Sequence, residues 1–370
     1  MRVAFIHEWL DSYAGSEKVL EQMLRVLPDA DVFSLVDFLP DGARSFLQGR
    51  TVTTSFIQRL PFARKHFRRY LALMPLAVEQ FDVSGYDLVI SNSHAVAKGV
   101  LTGPGQLHLC MCYSPMRYAW DLTHQYLRGS GLTRGMKGRI AKATLHYLRT
   151  WDARTANGVD HFIAISRFIA RRIWKVYRRQ ATVIYPPVDI DAFTPGSERE
   201  HFYLAASRMV PYKRMDLIVA AFERMPKRRL VVIGDGPMLP QLRRTAPANV
   251  ELLGYQPDET LVDHMRRAKA FVFAAIEDFG ILPVEAQACG TPVIAFGRGG
   301  ATETVVPDET GVFFDAQTPE AIVETIDRFD GAGPFGPERI RANAERFGAG
   351  RFREEFAAFV EDKWREFNER

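Results

Sequence analysis

Glu277-Asp278-Phe279-Gly280-Ile281-Leu282-Pro283-Val284-Glu285 follows the apolar run Ala270-Phe271-Val272-Phe273-Ala274-Ala275 and sets two carboxylates eight positions apart around a glycine-containing turn. The run reads as a strand buried on both faces, and Pro283 is predicted at the first helical position, where its missing N–H would be unpaired in any case. Strand, turn and helix start together present free backbone N–H groups and the positive end of a helix dipole to an anion. Glu277 and Glu285 can accept hydrogen bonds from hydroxyls on either side. A phosphate flanked by hydroxyls is the chemistry of a sugar nucleotide.

The same pattern continues in both directions. Phe202-Tyr203-Leu204-Ala205-Ala206, Arg229-Leu230-Val231-Val232-Ile233, Val250-Glu251-Leu252-Leu253, Pro292 to Phe296 and Gly311 to Phe314 read as strands, with helices at Asp216–Met225, Thr260–Arg267, 318–329, 336–346 and 350–368. Towards the N-terminus, Val3-Ala4-Phe5-Ile6, Asp87-Leu88-Val89-Ile90 and Leu107 to Cys112 read as strands of another sheet, with a helix from Ser16 to Val26. Short apolar runs alternating with amphipathic helices imply parallel, doubly wound sheets. Between the two sets, Val183 to Arg199 leaves a strand and becomes rich in Pro, Gly, Ser and charge, as a linker does. The chain's 370 residues exceed what one core usually supports, so two α/β domains are expected.

Bulk properties remove several function classes. With 47% hydrophobic and 25% charged residues the chain is globular in composition, and no apolar stretch approaches the ~20 residues that cross a bilayer. The N-terminus has no stretch apolar enough for a signal peptide, so a cytoplasmic protein is expected. Cys110, Cys112 and Cys289 form neither a disulfide framework nor a zinc site and read as reduced, buried thiols. Asp189-Ile190-Asp191 has the spacing of a metal-holding Asp-x-Asp but sits in the linker, so no metal and no cofactor is expected.

Charge is unevenly shared. Residues 1–195 carry 25 Lys and Arg against 16 Asp and Glu, a net of +9, while residues 196–370 carry 23 against 28, a net of −5. Within 59–179 the balance is 20 to 6, concentrated at Arg59 to Tyr70 and Arg167 to Arg179, with aromatic and aliphatic residues interleaved. Such a face suits the anionic inner surface of a membrane, with nucleic acid as the competing partner.

Glu277 to Glu285, followed by Ala286-Gln287-Ala288-Cys289-Gly290-Thr291-Pro292-Val293-Ile294-Ala295, resembles the E-x7-E motif of retaining glycosyltransferase family 4. The resemblance covers nearly the whole chain and is strongest from Tyr203 to Gly311. It implies the GT-B fold, two doubly wound Rossmann-like domains facing a central cleft. The expected division is an acceptor-binding domain over 1–190, a donor-binding domain over 191–350, and a C-terminal helix over 351–370 that crosses back to the first.

By the same resemblance Glu277 is the catalytic carboxylate, contacting the donor hexose. Gly280, Ile281 and Leu282 present backbone groups to the diphosphate, and Glu285 meets the ribose. Arg208 and Lys213, in the loop after the Phe202–Ala206 strand, resemble the family's Arg-x4-Lys pair, and charge balance independently favours cations beside a leaving diphosphate. Gly15 matches the family's N-terminal glycine loop, with one glycine where many members have two. Gly234-Asp235-Gly236 and Gly297 to Glu303 resemble two further donor-side loops.

Cys112 to Asp121 resembles a segment of bacterial polysaccharide mannosyltransferases, in which Tyr113 or Ser114 stands where many relatives carry His. That places His94 as a candidate in the cleft, and Arg117, Tyr118, Trp120 and Asp121 as an acceptor wall beside Tyr113. The resulting expectation is metal-independent, retaining transfer of a hexose, mannose from GDP-mannose, to a lipid-linked or polysaccharide acceptor at the inner face of the cytoplasmic membrane. Transfer from a UDP-hexose, or epimerase or phosphorylase chemistry on the same scaffold, is the alternative. A basic membrane- or nucleic-acid-docking protein without catalysis is the rival of another class. The set of donor-site residues argues against it, and no nucleic-acid partner is expected. A nicotinamide dehydrogenase is disfavoured because the first strand-to-helix loop lacks Gly-x-Gly-x-x-Gly.

Overall fold

The computed structural model describes residues 1–196, 198–332 and 335–369. Its contacts divide the chain into a first unit, Met1–Tyr185 with Phe352–Arg370, and a second, Pro186–Arg351.

The first unit is built on a seven-stranded sheet: β1 (Val3–His7), β2 (Asp31–Ser34), β3 (Val52–Thr54), β4 (Leu88–Ser93), β5 (Leu107–Cys112), β6 (His161–Ala164) and β7 (Ala181–Val183), in the spatial order β3-β2-β1-β4-β5-β6-β7. Every pairing is parallel. All residues of β1, β4 and β5 are buried, as a parallel sheet covered by helices on both faces requires. On one face Ile6, Phe33 and Val89 pack with Met74, Val78, Val96, Leu148 and Trp151. The helix Ala349–Asn368 joins this unit from Phe352 onwards. There Phe359 meets His161 edge-on, and Arg353 donates to the Gln22 side chain at 2.6 Å.

The second unit has six parallel strands: β8 (Phe202–Ala206), β9 (Arg229–Ile233), β10 (Val250–Gly254), β11 (Ala270–Phe273), β12 (Val293–Phe296) and β13 (Gly311–Phe314), ordered β10-β9-β8-β11-β12-β13. Leu230, Val232, Ile294 and Phe314 pack there with Ile218, Phe222, Ile322 and Ile326 of the covering helices.

In both sheets the strand order reverses once, between β1 and β4 and between β8 and β11. The loops leaving the C-terminal ends of those neighbours run in opposite directions and leave a crevice, the place where open α/β sheets bind ligands.

Several sequence expectations shift. The helix after β11 begins at Ile281, so Pro283 is its third residue rather than its first. The physical reason for tolerating it is unchanged, because none of the first four helical N–H groups has an intrahelical partner. Ala274 and Ala275, read as strand, already belong to the loop. Gly15 is the first residue of the helix Gly15–Val26, not a loop residue, and its φ lies outside the left-handed region; Ala14 caps the helix, its N–H donating to Glu17 at 2.9 Å. β2, β3 and β6 went unpredicted because they are three or four residues long and partly polar or exposed, while β7 ends at Val183, where the sequence leaves a strand.

Candidate active site

The β8/β11 crevice collects most of the predicted donor residues. Lys213 leaves the loop after β8 and Glu277 the loop after β11, and the two form an ion pair. Both side chains are about one-sixth exposed, so the pair is shielded without being sealed from solvent. Arg208, on the same loop as Lys213, is exposed and forms no ion pair among the described residues.

Glycines bring the loops together. Gly280, with φ 91°, occupies the left-handed region as the N-cap of the helix Ile281–Ala288, where a side chain would be strained. Gly299 also has positive φ, and a Cβ there would lie 2.6 Å from the Glu277 carbonyl oxygen. The Gly300 N–H donates to that carbonyl at 2.8 Å, and a Cβ on Gly300 would collide with the Phe279 backbone. The loop after β12 is thus laid directly on the Glu277 turn. On the other side, a Cβ on Gly236 would lie 2.6 Å from the Met209 carbonyl oxygen, and Met209 N–H donates to the Asp235 carbonyl at 2.8 Å. This fixes the Arg208 loop against the loop after β9.

The helix itself is held at its far end. Gln287, fully buried, donates to the carbonyls of Pro283 and Thr304 at 3.0 and 2.9 Å, and Asn343 donates to the Gln287 side-chain oxygen at 2.7 Å. Ile281 and Leu282 stand half-buried at the helix start, and Glu285 is buried one turn further on. These features give a fixed row of N–H groups, two cations and two carboxylates at the rim of one sheet. A diphosphate can be neutralised there and its flanking hydroxyls bound.

The first unit's β1/β4 crevice holds Gly15's helix, His94 and Tyr113. The His94 ring stands edge-on to Trp9 with centroids 4.6 Å apart, and edge-on to Tyr113 at 6.4 Å. Burial pushes the His94 imidazole below its ordinary value, against the pull of Glu8. Tyr113 donates to the Ser16 carbonyl at 3.3 Å, and burial pushes its phenol well up. The Tyr118 hydroxyl is buried and finds no hydrogen-bond partner among the described residues.

The acceptor wall expected from sequence is divided. Trp120 turns its indole N–H to Asp152 of the helix Gly135–Thr155 at 2.7 Å, and Asp121 pairs with Arg172 of the helix Arg167–Tyr177 at 2.9 Å, so the two residues are engaged by two different helices.

Two buried groups escaped the sequence reading. Glu8, fully buried at the end of β1, accepts from the backbone N–H groups of His94, Ala95, Val96 and Ala97 at 2.7–3.1 Å and from the Ser93 hydroxyl at 3.0 Å. A carboxylate ending an apolar strand was the available signal. Lys98 pairs with Asp152 at 2.7 Å, and Asp152 also accepts from Tyr177 and Trp120. No local pattern marks that pair, because its members are 54 residues apart.

Residues 13–192 match the model of Glycosyltransferase Family 4, and residues 189–344 match that of Glycosyl transferases group 1. Among curated relatives, the chain is 31% identical over 218 residues to a GDP-mannose-dependent alpha-(1-6)-phosphatidylinositol monomannoside mannosyltransferase of Mycolicibacterium smegmatis, covering 50% of this chain and 57% of that protein. It is 32% identical over 177 residues to a D-inositol 3-phosphate glycosyltransferase of Mycobacterium sp., covering 41% of this chain and 40% of the relative. The chain thus spans about half the length of the curated relatives it matches. Among solved structures, HepE of Anabaena, in complex with UDP and glucose, superposes with a TM-score of 0.70 at 18% identity, over 98% of this chain and 99% of that one. Sucrose-phosphate synthase of Thermosynechococcus elongatus gives 0.70 at 17% identity, over 99% of each chain. Two parallel, doubly wound units that share their fold with GT-B enzymes, and two adjoining family models that run almost end to end, identify this chain as a member of glycosyltransferase family 4.

Proposed function

We propose that this protein is a retaining hexosyltransferase that moves mannose from GDP-mannose to a lipid-linked saccharide, without a metal. The Lys213–Glu277 pair beside the N-terminus of the helix Ile281–Ala288, at the β8/β11 switch, carries the reading. A diphosphate on the Ile281 and Leu282 amides would draw Lys213 and Arg208 to its charge, leaving Glu277 to accept from hexose hydroxyls and Glu285 from the ribose. In the transfer step the bond between the anomeric carbon and the diphosphate oxygen breaks, and the acceptor oxygen bonds to that carbon on the same face. The acceptor proton passes to the departing diphosphate, so no protein base is needed.

The names of the mycobacterial and corynebacterial relatives support mannose and a lipid acceptor. A UDP-hexose is the second reading; UDP and glucose are the ligands of the HepE structure, whose 18% identity to this chain carries the fold and not the donor. An anionic membrane surface as partner is supported by the first unit's excess of Lys and Arg. Phe62, 80% exposed, stands with exposed Leu73 and Leu76 in a segment that also carries Arg64, Lys65 and Arg69.

Turnover of GDP-mannose, UDP-glucose and UDP-N-acetylglucosamine with a polyprenyl-diphosphate saccharide, followed by NMR of the product anomer, tests the reading. One donor giving an α-linked product supports it; no turnover across the panel, or an inverted product, defeats it.

A further inference from the structure

A cavity of about 880 Å3 lies wholly within the first unit, bounded by the helices Thr123–Gly129, Gly135–Thr155 and Arg167–Tyr177. Its volume falls in the range of pockets that enclose small molecules. The helix Arg167–Tyr177 has two working faces. Ile169, Ile173 and Tyr177 are buried against the sheet. Phe168, Arg171, Arg172, Lys175 and Val176, at i, i+3, i+4, i+7 and i+8, form a second stripe, and all five line the cavity.

That stripe sets like charges one turn apart, an arrangement that destabilises a helix unless something anionic offsets it. Lys142 and Arg149 face it from the neighbouring helix, bonded to the carbonyl oxygens of Thr133 and Ala119 at 3.2 and 2.8 Å. Asp121 is the lone carboxylate among the lining residues, and Arg172 already pairs with it at 2.9 Å. Arg171 and Lys175, both exposed, form no ion pair among the described residues. Beside these cations the wall turns apolar through Leu127, Leu145 and Phe168. Trp120, another lining residue, is held by its hydrogen bond to Asp152, itself paired with buried Lys98, which fixes that part of the wall. A solvated basic face would need neither the concavity nor the apolar lining.

We propose that this cavity binds a phosphorylated amphiphile, with a phosphate or diphosphate monoester on Arg171 and Lys175 and its hydrocarbon chain along Leu127, Leu145 and Phe168. The geometry stands alone, while the natural occupant, the lipid-phosphate part of the acceptor, rests on the function proposed above.

Calorimetric titration of the full chain with dodecyl phosphate, dodecyl maltoside and inorganic pyrophosphate, each below micelle formation, tests the site. Dodecyl phosphate is expected to bind, and the doubly substituted R171A/K175A protein to bind it about tenfold more weakly or worse, having lost two charge-assisted contacts. Leu145→Ser is expected to weaken dodecyl phosphate as well. Pyrophosphate binding as tightly as the amphiphile would reduce the cavity to a site for free phosphate and overturn the proposal, and equal binding of the maltoside would remove its charged half. No binding of dodecyl phosphate, or binding indifferent to R171A/K175A, overturns it outright. GDP-mannose titrated into the same samples reports on the transfer reading separately. A protein that binds the sugar nucleotide but not dodecyl phosphate loses the cavity alone, and the converse loses the transfer alone.

Discussion

Lys213 and Glu277 are joined as an ion pair across the crevice between β8 and β11, one from each of the loops that part there. Each side chain neutralises the other. Under the transfer reading proposed above, substrate would exchange this pair for its own contacts, a diphosphate on Lys213 and hydroxyls on Glu277.

Removing either member should therefore cost turnover more than stability. Lys213→Ala and Glu277→Gln are each expected to lower kcat by about a hundredfold or more, since preorganised charge at a leaving group supplies effects of that size. Melting temperatures should hold, because a partly exposed pair contributes little to stability. The double variant should lose less than the product of the single losses, the mark of coupled residues. Steady-state kinetics with a thermal melt of each variant checks this.

Transfer should continue in excess EDTA at its untreated rate. Cations on the chain and the helix N-terminus would carry the diphosphate's charge, so a metal-dependent loss of product would show that Arg208 and Lys213 are not enough.

Gly300→Ala should destabilise the second unit by about 1–3 kcal/mol or more, as forced overpacking does. The added methyl would meet the Phe279 backbone, which is not the flexible end of a side chain and can yield only by moving the Glu277 turn. Nucleotide affinity should fall with stability. Gly331→Ala, where nothing lies within 4 Å, is the control. Denaturant titration of both variants reads the difference.

His108 makes the first unit sensitive to mild acid. Its Nδ1 donates to the Gly158 carbonyl at 3.0 Å, which leaves Nε2 to accept from the Ser91 hydroxyl at 2.9 Å. Burial pushes the imidazole down to about 4 from an ordinary 6.5, so the unfolded chain takes up the proton first as pH falls. The stabilisation is whole above pH 6.5 and drains away between there and about 4, a loss of about 3 kcal/mol. All five tryptophans lie in the first unit, so intrinsic fluorescence during urea unfolding follows that unit. His108→Gln should flatten the decline over this pH window, whatever it costs at neutral pH.

Much of the fold was legible because each buried strand announces itself in a continuous apolar run. Leu107–Cys112, Phe202–Ala206, Arg229–Ile233 and Gly311–Phe314 were bounded to the residue. The strands that sequence missed, β2, β3 and β6, are edge or near-edge elements of three or four residues, stabilised by pairing with a neighbour rather than by their own pattern. Most of the donor side was readable for a local reason, since the Glu277 turn and the helix that follows it are contiguous in sequence. The acceptor side was not. Whether Trp120 faces His94 or Asp152 is decided by a hydrogen bond to a residue 32 positions away, and no spacing encodes it. Glu8 was overlooked because its partners are backbone amides, which carry no residue signature.

Glu8 has a further implication for how this scaffold can diversify. A single sequestered carboxylate that grips four successive amides dictates the length and course of the strand exit from Ser93 to Ala97. Insertions or grafted loops at that point would strand a negative charge in the interior, so natural drift and laboratory libraries alike should change specificity there by exchanging side chains such as His94 on a path that stays put.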